Sequence, residues 1–214
     1  MDEIINNISS PILLVGGGGH CRAVIDVLEL SNTRIAGIVH GQDSVLEQVL
    51  GYPSLGRDSD LPELRKKFSR ALVTVGQIKT SRIRQTIFTM LQQDAFELPV
   101  VISPLAYVSR HAAIGLGSVV MHQAMVSAGV SIGENCIINS KSLIEHDCTI
   151  ASHCHIAVGA ILCGGVTIGE GSFVGAGAIL KQEVHIGNNV VIGCGVIVHA
   201  NVPDNMTIRG RHHE

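Results

Sequence analysis

The sequence predicts a chain of two parts: a small Rossmann-like α/β domain over residues 1–100, then a parallel β-helical prism over residues 101–214. Three observations predict it. From Ile102 an aliphatic residue falls on every sixth position through Val198, seventeen hexads without a failure. Four residues after each comes a small or β-branched residue, in a series that runs from Ala106 through Cys136, Cys148 and Cys154 to Val202. Before residue 100 that period is absent, and short apolar runs alternate with stretches of helical spacing.

Pro11–Val15 reads as a short apolar strand, ended by four glycines at 16–19. His20–Leu30 has helical spacing, with Ala23, Val24, Val27 and Leu28 on one face. Arg34–Val39 reads as a second strand, Leu61–Phe68 as a helix and Ala71–Val75 as a third strand. A helix over Ser81–Gln92 carries Ile83, Ile87, Phe88 and Leu91 at its apolar positions, and Pro99–Ile102 is an extended exit. Strands alternating with helices imply a parallel sheet. From Ile102 onward each hexad forms one short strand and one turn, and three hexads close a triangular coil of 18 residues. Glycine recurs just after the aliphatic position, as at Gly115, Gly133, Gly169 and Gly193.

Composition agrees with a narrow prism. Hydrophobic residues make up 46% of the chain and aromatics only 3%, so the core is filled with Ile, Val, Leu and Ala. A net charge of −3 and the lack of a long basic block exclude capture of nucleic acid by charge. Asp2 and Glu3 replace the basic start of a signal peptide, and Ile12–Val15 is too short to span a membrane. A cytoplasmic protein without membrane insertion is expected. Three of the six cysteines, Cys136, Cys148 and Cys154, stand in the small-residue series and read as inward packing residues; there is no C-x-x-C pair.

Two segments carry chemistry. Gly16-Gly17-Gly18-Gly19-His20 follows a strand and opens a helix, where backbone N–H groups can cradle a phosphate. Position 21 is Cys, so the dinucleotide fingerprint is incomplete, and a tight turn without a ligand is the other reading. The segment Asn139–Cys148 places Glu145-His146-Asp147 at a corner. Imidazole is suited to take a proton near neutral pH, and a carboxylate on its other nitrogen raises its basicity. A solvated charged turn explains the same residues equally well. His155 follows the inward Cys154 and is expected to point outward, toward a neighbouring subunit. An 18-residue coil puts Gly164 over His146, where Gly164-Gly165 lets a ligand or an oxyanion-stabilising N–H approach.

These motifs, together with I-N-S-K-S-L-I-E-H-D-C and H-I-A-V-G-A-I-L-C-G-G-V-T-I-G, resemble the bacterial nucleotide-sugar N-acetyltransferases and sialic-acid O-acetyltransferases of the bacillosamine and perosamine type. The resemblance covers nearly the whole chain. It implies a left-handed parallel β-helix of hexapeptide repeats, a homotrimer with sites between neighbours, acetyl-CoA as co-substrate and no metal. The apolar outward positions Ile137, Leu143, Ile161, Ile179, Val191 and Ile197 permit a trimer, because such a row is a liability on a monomer. By the same resemblance His146 is the general base and Asp147 tunes it. Asn139 contacts the acceptor sugar, while Gly18, Gly19 and His20 hold the nucleotide-sugar. His155 contacts acetyl-CoA, and Gly164, Ala176 and Cys194 line its channel.

The chain departs from the family at three places. His40 stands at the end of the second strand, where an acidic residue usually reads the nucleotide base. Gly76-Gln77-Ile78 replaces a loop that often carries Asn. Gly210–Glu214, with its two histidines, replaces the usual G-x-P-A ending. The implied reaction is acetyl transfer to the 4-amino group of a nucleotide-linked 4-amino-4,6-dideoxy sugar, for surface glycan or glycoprotein synthesis. O-acetylation of a sialic-acid-like sugar is the alternative; a metal-dependent hydratase and a non-enzymatic trimerising scaffold are more distant ones.

Overall fold

The computed structural model describes residues 10–41 and 47–210. The N-terminal Met1–Ser9 segment and the histidine pair near the C-terminus lie outside the described residues. The chain divides into two compact units, one of residues 1–76 with 83–99 and one of residues 77–82 with 100–214. The short 77–82 segment thus belongs with the prism although it lies inside the α/β unit in sequence.

The first unit is a five-stranded sheet in the order β3-β4-β2-β1-β5. Its strands are β1 (Ile12–Val15), β2 (Ile35–His40), β3 (Gln48–Val49), β4 (Tyr52–Arg57) and β5 (Arg70–Val73). All pair in parallel except the β3–β4 hairpin. The four residues of β1 are fully buried, which is why the strand reads as an unbroken apolar run rather than an alternation. Helix α1 (Gly19–Leu30) buries Cys21, Val24, Ile25, Val27 and Leu28. Ala23 is exposed instead, so the apolar face is turned one step from the expected one. Helix α2 covers Leu61–Arg65, shorter than expected, and α3 covers Arg82–Gln93. On α3 Ile83 is 62% exposed and Arg84 is buried in its place. The β3–β4 hairpin has no counterpart among the expected elements. Pro53 and Gly56 weaken its strand signal, and β4 is half-buried without alternation.

The second unit is a left-handed parallel β-helix. Its two-residue strands stack into three parallel sheets of six, five and seven strands. Through Ile197–Val198 successive strands pair 18 residues apart, as in Ile137↔His155 and His155↔Phe173, while the last coil is two residues shorter and pairs Val191 with Thr207. The aliphatic hexad positions from Val120 to Val198 are buried and form one continuous core. Ile102, the first of the series, is exposed and Val101 is buried in its place. The small-residue series also points in. Its thiols and hydroxyls donate to a carbonyl of the next coil: Cys136 to Ala151, Cys148 to Cys163, Cys154 to Gly169, Ser118 to Gly133 and Ser172 to Gly187. Burial pushes the Cys148 thiol up to about 11, and the Cys21 thiol is raised for the same reason. Both are protonated at neutral pH and neither is a nucleophile.

Every sixth residue from Gly117 to Gly195 turns a corner in the left-handed region. Glycine fills many of these corners. Lys141, Asp147 and His153 fill three consecutive ones at φ 59°, 60° and 64°. A non-glycine residue there costs about 1 kcal/mol.

The three faces differ. One presents Ala113, Ser131, Thr149, Thr167 and His185, mostly small and polar. The second presents Val101, Val119, Ile137, His155 and Phe173, all buried. The third presents Tyr107, Met125, Leu143, Ile161, Ile179 and Ile197 in one line, none of them buried. Ile137 and Val191 therefore do not join the exposed apolar row that the sequence suggested. They lie on the second face, and Tyr107 and Met125 complete the row on the third.

Ile156 is fully buried in the coil that follows the Glu-His-Asp corner. Ile156→Ala is expected to destabilise the protein by about 2–5 kcal/mol in denaturant unfolding, from lost burial plus the cavity left behind.

Candidate active site

The 18-residue register brings Gly164 onto His146. A Cβ on Gly164 would lie 2.7 Å from both Cε1 and Nε2 of the His146 ring, so only glycine leaves the ring where it is. The Gly165 N–H donates to the His146 carbonyl at 2.9 Å. That N–H is therefore spent on the fold. Two coils above His146 stand Gln182 and Glu183, and together these residues and Asp147 line a cleft of about 320 Å³. Gln182 and Glu183 were not among the expected site residues. Counting a second 18 residues up from His146 would have found them.

Asp147 fixes the histidine. Its carboxylate accepts from His146 Nδ1 at 2.8 Å. The corner leaves no room for a side chain at Gly129, which would collide with the Asp147 carboxylate. With Nδ1 carrying the proton, the lone pair of the neutral ring is on Nε2, the nitrogen turned to Gly164. The hydrogen bond to Asp147 raises the His146 pKa above the usual imidazole range, with smaller contributions from the charges of Asp147 and Glu145. The ring and its carboxylate are both largely exposed in the single chain.

His155 lies on the outward second face but is covered within the single chain. It is 8% exposed and packs edge-on against Phe173 at 5.2 Å between ring centroids. Its Nδ1 lies 2.7 Å from the Gln77 carbonyl oxygen and its Nε2 3.1 Å from Asn139 Nδ2. The structure thus joins Asn139 to His155 and adds Gln77, which the sequence had marked only as a departure. Ala176 and Cys194 stack one coil apart, the Gly195 N–H donating to the Ala176 carbonyl, in the column of Ser140; Asn139 lies at the same corner, one residue earlier. Cys194 borders a cleft of about 410 Å³ whose walls include Phe173, Val191 and Ile208, with Lys79 and Arg209 beside them.

In the α/β unit Gly16 holds φ +115°, and a Cβ there would meet Val75 Cγ2 at 2.5 Å, so this glycine is required by close packing. Gly18 and Gly19 are exposed, with open space where their side chains would be. Gly18 caps α1 without a side-chain hydrogen bond, and the first turn carries no acid. Such a helix start is complementary to an anion. His20 is half-buried beside Gly76. His40 is buried at the end of β2, its Nδ1 donating to the Gly41 carbonyl. Asp58 lies close enough that the His40 ring lowers its pKa, an effect outweighed by burial, which raises it. Among the described residues no group of three or more His, Cys, Asp or Glu is placed to hold a metal ion. No helix among them is long and apolar enough to cross a membrane.

Comparison with known proteins agrees with this geometry. A family model described as the PglD N-terminal domain matches residues 11–91. A perosamine N-acetyltransferase from Caulobacter crescentus, solved as a histidine-to-asparagine variant with CoA and GDP-perosamine, is 34% identical over 92% of both chains, with a TM-score of 0.87. The acetyltransferase domain of PglB from Neisseria gonorrhoeae, solved with acetyl-CoA, is 35% identical over 93% of this chain and 95% of that one, with a TM-score of 0.86. WeeI from Acinetobacter baumannii, 21% identical with a TM-score of 0.73, shares the fold. No curated relative matches the sequence. The matches make the chain a hexapeptide-repeat acyltransferase. Within that class it belongs to the bacterial nucleotide-sugar N-acetyltransferase family.

A base at His146 has an expected pH dependence set by Asp147. The neutral ring is the form that accepts a proton, so activity is expected to rise as pH passes the raised His146 pKa. In Asp147→Asn the hydrogen bond from Nδ1 to a carboxylate is lost and that pKa falls. The acid limb of kcat/KM against pH is expected to move to lower pH, with a reduced plateau because the base is weaker.

Proposed function

We propose that this protein transfers the acetyl group of acetyl-CoA to the 4-amino group of a nucleotide-linked 4-amino-4,6-dideoxy sugar. The observation that carries the reading is His146, its Nδ1 held by Asp147 and its Nε2 turned to Gly164 at the edge of an open cleft. The CoA, acetyl-CoA and GDP-perosamine bound to the relatives support the choice of both substrates.

In this reaction a C–N bond forms at the thioester carbonyl, the C–S bond breaks, and the attacking amine gives up a proton. His146 Nε2 takes that proton. Asp147 keeps the ring in the receptive tautomer and stabilises its charge once formed. No acyl-enzyme is used, in keeping with the raised thiols of Cys148 and Cys21. Gly18, Gly19 and His20 hold the diphosphate of the sugar nucleotide, and Asn139 contacts the acceptor sugar. The residues present fit coenzyme A: the cleft at Cys194 has apolar walls for its pantetheine arm and Lys79 and Arg209 for its phosphates.

The active form is a homotrimer. The line from Tyr107 to Ile197 is an apolar face that a single chain leaves uncovered. Two corners flank that face in sequence: Asn139, Ala176 and Cys194 before its strands, His146, Gly164 and Gln182 after them. A second copy seated there places its own corner beside that of the first, so each site is shared between subunits.

Two experiments test these statements. His146→Ala is expected to lower kcat by about 10²–10⁴-fold in a thiol-release assay with acetyl-CoA and GDP-, UDP- and TDP-linked 4-amino sugars. Unchanged turnover in the variant, or wild-type activity only on sugar hydroxyls, overturns the assignment. Ile161→Glu puts a charge in the middle of the apolar face, and sedimentation is expected to show trimers giving way to monomers. A wild-type protein that sediments as a monomer at micromolar concentration refutes the assembly.

A further inference from the structure

We infer that Gln77 sets the tautomer of His155 and, through it, the orientation of the Asn139 amide. Gln77 and His155 are then positioning residues for the acceptor sugar. The inference rests on the proposed role of Asn139 in binding that sugar.

The argument is one of donors and acceptors. The Gln77 carbonyl can only accept, so the 2.7 Å bond to His155 requires the proton on Nδ1. Asn139 Oδ1 already accepts from the Ser140 N–H at 2.8 Å, so the amide turns its NH₂ toward His155. An NH₂ group can only donate, so His155 Nε2 must accept across 3.1 Å. Only the neutral ring with hydrogen on Nδ1 satisfies both ends. Turning the Asn139 amide over would set its NH₂ against the Ser140 N–H, donor against donor. The relay therefore has one consistent arrangement, and it is buried enough for a mismatch to be costly.

Gln77 holds its end of the relay by its own side chain. It is 3% exposed and its Nε2 donates to the Gly171 carbonyl at 3.0 Å. That bond anchors the 77–82 segment on the prism and aims the Gln77 carbonyl at His155. The residues just before it belong to the glycine loop's surroundings. Thr74 Oγ1 donates to the Gly16 carbonyl at 2.7 Å and Gly76 lies against His20.

The test uses Gln77→Glu in the full-length protein. Glutamate keeps the length but has no N–H to give Gly171, and it faces a carbonyl, so residue 77 turns away and its carbonyl leaves Nδ1. Asn139→Asp is the second variant: it leaves the Gln77 carbonyl on Nδ1 and puts an acceptor opposite Nε2, so both ring nitrogens are required to carry a proton. Thermal melts check that each folds. Two readouts are taken. ¹⁵N spectra of histidine-labelled protein, with His155→Phe to assign the signal, are expected to show the Nδ1–H tautomer in the wild type. A mixture of tautomers is expected in Gln77→Glu, and the doubly protonated ring in Asn139→Asp. Gln77→Glu is expected to raise KM for the acceptor sugar about five- to tenfold, the range for losing one well-placed hydrogen bond, with KM for acetyl-CoA changed less than twofold. A wild-type spectrum with the proton on Nε2 overturns the relay. So does a rise in KM for acetyl-CoA with the acceptor KM unmoved. If no acceptor is turned over while the wild-type spectrum shows Nδ1–H, the acetyl-transfer reading fails and the relay is supported.

Discussion

Backbone hydrogen bonds between successive coils impose an 18-residue register, and everything the prism does depends on it. Each strand is only two residues long and none would be stable alone. Stacking supplies the partner for every N–H and carbonyl along the run, as from Ile137 to Cys154 and from His155 to Ser172. A residue's place is therefore set by counting. His146, Gly164 and Gln182 form a column because they differ by 18, and the small residue needed beside a proton-accepting ring is placed by arithmetic. The same register lets a buried Cys or Ser cap a carbonyl one coil up, so polar atoms enter an aliphatic core already satisfied.

The corners are where this regular fold admits chemistry. A corner requires a residue in the left-handed region, and glycine fills it at least cost. At Lys141, Asp147 and His153 the chain accepts strain in return for side chains that glycine does not have. Asp147 shows why the position matters. The tight corner folds its carboxylate back onto the neighbouring imidazole, and Gly129 in the preceding coil leaves space for it. The base and its tuning group are adjacent in sequence because one corner makes both.

The prism was legible in the sequence almost residue by residue, since one period of six is repeated over a hundred positions and each repeat confirms the others. Gly164 over His146 followed from that count alone. The α/β unit was legible only in outline. The β3–β4 hairpin was missed because Pro53, Gly56 and a half-buried strand leave no alternation to read, and α3 was turned because Arg84 is buried where Ile83 was expected. The environment of His155 was out of reach for a different reason. Its partner Gln77 is 78 residues away, in a segment whose sequence position belongs to the other unit. No periodicity connects the two. The outward apolar positions were found, but they were not sorted between faces, since sorting requires knowing which side of the triangle the chain itself covers.

The exposure of His146 bears on the proposed assembly. In water a histidine–carboxylate pair gains little, because both groups are well solvated and the dielectric is high. The pair lies at a corner that opens toward solvent, beside the one face whose outward residues are apolar and uncovered. A second copy on that face would remove water from both at once. Burying the apolar row provides the free energy of association, and excluding water strengthens the hydrogen bond that makes His146 basic. The proposed assembly thus couples two otherwise separate features, an aliphatic row with no function of its own and a base too exposed to be strongly perturbed in isolation. On this view the trimer is part of the catalytic apparatus, and the corner is fully equipped only when a neighbouring prism closes it.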